Sequence, residues 1–104
     1  MRVEVSKELS DCLILNGRIK DYDEFLEFKA DLKDLLERYN KEEPICFFLN
    51  QAYPLEFCAI GYFLKLKEFD SWDISIHTND IRIFKFFEKL GLSEKFKVMV
   101  RELR

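Results

Sequence analysis

Between Tyr53 and Tyr62 the chain sets a carboxylate, Glu56, two positions before a thiol, Cys58, and surrounds both with aromatic side chains. The residues around them read as a strand-to-helix junction. Asn50 and Pro54 break the apolar run Ile45 to Leu49, Glu56 suits a helix's first turn, and Cys58 falls at or just inside that helix. A helix N-terminus favours the thiolate, the nucleophilic form of cysteine, while the nearby carboxylate opposes it. Cys58 is therefore either a reactive or redox-sensing thiol or a half-buried structural residue. Tyr53, Pro54, Phe57 and Tyr62 gather apolar area of the kind that suits a protein interface, although Phe57 and Tyr62 are read equally well as helix core.

The other groups that can do chemistry are scattered. His77 is the single histidine, so neither a metal cluster nor a nucleophilic triad can be assembled around a second one. Cys12 and Cys46 lie inside apolar runs and read as small buried hydrophobes, with no CxxC spacing anywhere. An odd cysteine count without a secretion signal predicts three reduced thiols. Glu42-Glu43, and Glu56 beside Asp70 or Asp73, have no Gly-rich loop or placed nucleophile near them and read as a solvated face. The expectation is a protein that is not an enzyme, with no metal and no cofactor.

The chain has 104 residues, enough for one domain that builds its own core without staples. Its 48% hydrophobic content and eleven phenylalanines argue for a packed globule. A net charge of −3, with Lys and Arg dispersed among Asp and Glu, provides no basic field for phosphate backbones, so nucleic acid is not an expected partner. Met1-Arg2-Val3-Glu4-Val5 lacks the apolar core of a signal peptide, and no apolar run reaches the roughly 18 residues of a membrane span. The expected location is cytoplasmic, without direct membrane insertion.

Periodicity supplies the elements. Arg2 to Ser6 alternates and Cys12 to Leu15 is continuously apolar, which predicts two strands joined by Lys7 to Asp11. Phe25, Phe28, Leu32, Leu35, Leu36 and Tyr39 recur at helical spacing, behind a capping-box pair, Asp21 and Glu24, and before a left-handed stop at Asn40. Ile45 to Leu49 is apolar throughout, as a strand buried on both faces requires. A helix from about Glu56 to Glu68, a strand from Asp73 to His77, and a helix capped by Asp80 or Asn79, carrying Ile83, Phe84, Phe87 and Leu90 and closed by Gly91, follow. Lys95 to Val100 reads as a last strand. The order ββαβαβαβ predicts an α/β domain with right-handed crossovers and helices over a mixed sheet.

A Gly after the second strand, a fully apolar third strand, an acid with small residues opening a helix, and a late Lys89-Leu90-Gly91-Leu92 before Phe96 form a pattern over Val3 to Val100. Its anchors are Leu15-Asn16-Gly17-Arg18-Ile19, Ile45 to Leu49, Ala59-Ile60-Gly61 with Leu64 and Leu66, and Phe87 to Leu92. The pattern resembles the STAS family, the bacterial anti-sigma-factor antagonists and sulfate-transporter-associated domains. The resemblance implies one STAS-like domain over residues 1–104, a mixed four- to five-stranded sheet packed by three or four helices.

In the antagonists of that family the helix opens with Asp-Ser-Ser-Gly, and a partner kinase phosphorylates the second Ser to release the complex. Those positions fall here on Glu56, Phe57, Cys58 and Ala59. The acid is kept, both hydroxyls and the Gly are gone, and Cys58 stands at the phosphoacceptor position. Lys20 precedes Asp21 where the pattern would put an acid. The resemblance implies a non-catalytic interaction and regulatory module that binds its partner through Lys20, Asp21, Tyr53, Pro54, Glu56, Phe57, Cys58, Ala59, Gly61 and Tyr62. The partner would be a regulatory kinase of the anti-sigma type, with homodimerisation as a further association. Two alternatives stand beside it: a small STAS subunit docked on the ATPase of a membrane ABC-type transporter, and a ligand or redox sensor acting through Cys58.

Overall fold

Three strand-to-helix crossovers that each step one place along the sheet put the strands in chain order. The structure, a computed structural model, describes residues 1–5 and 12–102. It contains β1 (Arg2–Val5), β2 (Cys12–Asn16), α1 (Tyr22–Leu36), β3 (Ile45–Asn50), α2 (Phe57–Glu68), β4 (Ile74–Thr78), α3 (Ile81–Lys89) and β5 (Met99–Val100). The sheet runs β1-β2-β3-β4-β5, with β1 antiparallel to β2 and every other pair parallel. This is the expected α/β order, a mixed sheet with three helices. The expected link from Lys7 to Asp11 lies outside the described residues.

The pleat separates the sheet's faces, because successive side chains on a strand alternate. Leu13 and Leu15 of β2, Phe47 and Leu49 of β3, and Ile74 and Ile76 of β4 join Phe28, Leu32, Ala59, Phe63, Ile83 and Phe87 from the three helices in one core. All three helices therefore cover the same face. The opposite face carries a smaller cluster, Cys12, Ile14, Cys46 and Phe48. β3 lies in the middle with Ile45 to Leu49 all buried, as its unbroken apolar sequence predicts.

Four expectations are corrected. Helix α1 ends at Leu36 rather than reaching Tyr39, because Arg38 and Tyr39 donate to Leu35 and Leu36 three residues back, which tightens the last turn. Asn40 is not left-handed; its side-chain oxygen accepts from the Glu42 amide at 3.0 Å, an Asx turn. The strand expected from Lys95 shrinks to Met99–Val100. Phe96 is fully buried against Phe87, ring centres 5.7 Å apart, and the chain turns to keep it there, with Lys97 left-handed and Val98 donating to Ser93. Burial of one large ring outweighs a few edge hydrogen bonds.

Fourth, Cys12 and Cys46 are not separate reduced thiols. They stand opposite each other in the β2–β3 register, with Cα atoms 4.4 Å apart, and are joined as a disulfide. Spacing along the chain carries no trace of this pairing; register alone brings the two together.

Candidate functional site

The parallel strands β2, β3 and β4 all end at the same edge of the sheet, and α1, α2 and α3 all begin there. Binding sites of open α/β sheets form outside this carboxyl edge. An asparagine ladder braces it: Asn50 Nδ2 donates to Asn16 Oδ1, and Asn79 Nδ2 donates to Asn50 Oδ1, each at 3.1 Å. Beneath it the buried Thr78 hydroxyl donates to the Leu49 carbonyl at 2.9 Å and accepts from the Asp80 amide at 3.1 Å. The Gly17 amide, in a left-handed turn that suits glycine, donates to the Asn50 carbonyl at 2.9 Å.

Glu56 occupies the cap position of α2 but makes no side-chain cap bond there. Its carboxylate reaches across the edge instead, accepting from Arg18 Nη2 at 2.8 Å and from the Ile19 amide at 3.2 Å. The start of α2 is thus tied to the segment leading into α1. A charge-assisted pair plus a backbone bond fixes orientation more than it adds stability, since Arg18 stays half exposed. Asp21 caps α1 as expected, accepting from the Glu24 amide at 2.8 Å. Glu24 reaches back to the Lys20 amide at 3.2 Å, one residue upstream of the usual capping-box partner.

Phe57, the first residue of α2, is 70% exposed, and its ring lies 5.7 Å from that of Phe86. Tyr53 is 39% exposed, with the Arg82 guanidinium 4.2 Å from its ring centre. Pro54 follows through a cis peptide bond and is exposed. Cys58 is exposed, and with Lys20, Asp21, Glu56, Ile19, Tyr22 and Phe25 it borders a depression of about 250 Å³. Gly61 is exposed, with open space where a Cβ would sit. Two expected contact residues face the other way. Ala59 is fully buried and Tyr62 is only 7% exposed, so both belong to the core rather than to the surface formed by Phe57. Burial, with Asp70 as a second contribution, raises the Tyr62 hydroxyl above the usual tyrosine value and keeps it protonated.

Sequence reasoning missed three residues here. Tyr22 and Ile81, the first residues of α1 and α3, are 70% and 50% exposed, so each helix on this edge opens with an exposed large apolar side chain. Both directly follow a capping aspartate, and that position was the available signal. The third is Arg82, which donates to Asp80 through Nε at 3.0 Å and Nη2 at 2.8 Å. The Arg82 side-chain bonds hold the Asp80 carboxyl below the usual carboxylate range, helped by the Arg82 amide that Asp80 caps.

A separate cluster lies on the sheet face away from the helices. The Cys12 and Cys46 sulfurs and a ring nitrogen of His77 fall within 4.8 Å of one another. Arg101 Nη2 donates to Cys12 Sγ at 3.1 Å, and the Arg101 guanidinium lies 5.8 Å from the Phe48 ring centre. While the sulfurs are bonded to each other neither is a thiolate ligand; reduction turns the trio into a two-sulfur, one-nitrogen donor set. Among the described residues, no helix is long and apolar enough to cross a membrane. Comparison of the chain with protein-family models, with curated proteins and with solved structures finds no match, so the carboxyl edge must be interpreted from its own chemistry.

Proposed function

We propose that this chain is a non-catalytic, STAS-like interaction module that docks a regulatory protein partner on the carboxyl edge of its sheet, in the cytoplasm. The observation that carries the reading is the row of exposed apolar first-turn residues, Tyr22, Phe57 and Ile81, with Tyr53 beside them. Large side chains left in water on a braced edge gain most when a partner removes them from it, and aromatic anchors are the usual hot spots. The groups with reactive potential at the junction are otherwise engaged or modest: Glu56 is bonded to Arg18 and Ile19, and Cys58 presents a sulfur where the resembling antagonists present a hydroxyl. On this reading the module has no serine switch and remains in its binding-competent form.

The test exploits Cys58, the free cysteine among the described residues. A benzophenone maleimide placed there and irradiated in an extract of the producing cell should crosslink one protein in stoichiometric yield, and Phe57→Asp should abolish the adduct. An adduct with a protein kinase supports the switch-partner form, whereas one with a transporter ATPase supports the transporter-subunit form. An adduct that survives Phe57→Asp moves the docking surface elsewhere and overturns the proposal.

A further inference from the structure

A second concavity, far larger than the depression at Cys58, opens between the C-terminal halves of α1 and α2. It measures about 640 Å³, within the range of small-molecule sites. Its apolar wall comes from Leu26 and Leu36 of α1, Leu66 of α2 and the ring of Trp72. Tyr62, which the docking surface does not use, also lines it. The rim has the opposite charge to the molecule. The chain carries −3 overall, yet four lysines, Lys29, Lys33, Lys41 and Lys65, border this groove against two carboxylates, Glu37 and Asp70.

Of these, Lys65 is paired with Asp70 at 3.0 Å. Lys29, Lys33 and Lys41 have no carboxylate within 4 Å among the described residues. Two of them rest on aromatic faces instead, Lys29 Nζ 5.4 Å from the centre of the Tyr62 ring and Lys41 Nζ 5.4 Å from that of Trp72. An ammonium over a ring gains far less than one facing an anion in the same partly dry setting. The groove thus offers aromatic and aliphatic walls with uncompensated cations at its mouth.

We propose that this groove binds a small organic anion carrying its charge at one end of an apolar, ring-bearing body. The body packs against Leu26 and Tyr39, the exposed apolar residues of the lining, and reaches Trp72 only at the small part of it left in solvent. The charged end, a carboxylate or sulfonate, meets Lys33 and Lys41. The groove's size and partial enclosure fit such a molecule, and its charge sign selects an anion. The site lies away from the carboxyl edge, so it stands or falls independently of the docking surface.

Trp72 is the single tryptophan and lines this groove, so its emission is the readout and the lysine variants localise the bound probe. The probe pair is 8-anilinonaphthalene-1-sulfonate and its uncharged relative N-phenyl-1-naphthylamine. The sulfonate should quench Trp72 emission saturably with one-to-one stoichiometry and bind at least tenfold tighter than the neutral probe. Lys33→Glu combined with Lys41→Glu should weaken sulfonate binding at least tenfold, while Lys85→Glu on α3, outside the groove, should leave it unchanged. All of these lysines are solvent-facing, so the folded state survives the changes. Absence of saturable quenching, equal affinity for the two probes, or full affinity in the double variant would overturn the proposal.

Discussion

Cys58 is exposed beside a carboxylate held by an arginine, whereas Cys12 and Cys46 are buried and bonded to each other. Accessibility and bonding thus set different reactivity for residues of one type. Denatured but unreduced protein should titrate about one thiol per chain, Cys58, and about three after reduction. In the native state Cys58 should react on mixing. A count of three without reductant would contradict the Cys12–Cys46 bond. Phe57 is the other residue on which the account turns. Sequence left its core and surface readings balanced, because periodicity places a side chain on a helix face without saying where the neighbouring helix ends. Its exposure follows from α3: Phe86 flanks the ring on one side and solvent takes the rest. Tyr62, equally ambiguous, went inward, where Phe28 meets it edge to face at 6.1 Å.

Elements were legible wherever a cap residue and a periodic run coincided. Asp21 and Asp80 both sit where the sequence puts them, and Gly91 closes α3 in a left-handed turn, with Leu92 donating to Phe87 at 2.8 Å and Gly91 to Glu88 at 3.0 Å. Boundaries decided by tertiary contacts were not legible: the end of α1 short of Tyr39, the loss of a strand at Phe96, and the pairing of Cys12 with Cys46. The site followed the same rule, since Glu56 was visible as a first-turn acid but its partner Arg18 lies across the edge. The Asp80 cap yields an element-scale prediction. Its native carboxyl titrates below the ordinary value of about 4, so its stabilising contribution is complete above that pH and is lost as pH falls through the lowered native value. Asp80→Asn keeps a cap acceptor but loses the charge facing Arg82. The variant should unfold more readily than the parent near neutral pH, with the difference closing as pH falls through the lowered native value of Asp80. A difference that does not change with pH would mean that the charge of Asp80 contributes nothing to α3.

Across the molecule, one-sided helix packing over the parallel strands β2 to β5 of a mixed sheet leaves three helix starts aligned at one edge, and that alignment makes a surface from residues far apart in sequence. The scaffold depends on β3, whose Phe47 is fully buried beneath Phe63, ring centres 5.5 Å apart. Phe47→Ala should cost about 3–5 kcal/mol in a denaturant titration, a large part of the roughly 5–15 kcal/mol available to a domain. A loss below about 1 kcal/mol would contradict a central β3. Docking on the carboxyl edge is the central claim, and the binding constant of Phe57→Asp for the crosslinked partner tests it most directly, measured with circular dichroism on the same sample. The account predicts an unchanged spectrum, because Phe57 is mostly in solvent, and binding weakened by about 2 kcal/mol or more, as loss of an anchor requires. A folded variant that binds as tightly as the parent would contradict it.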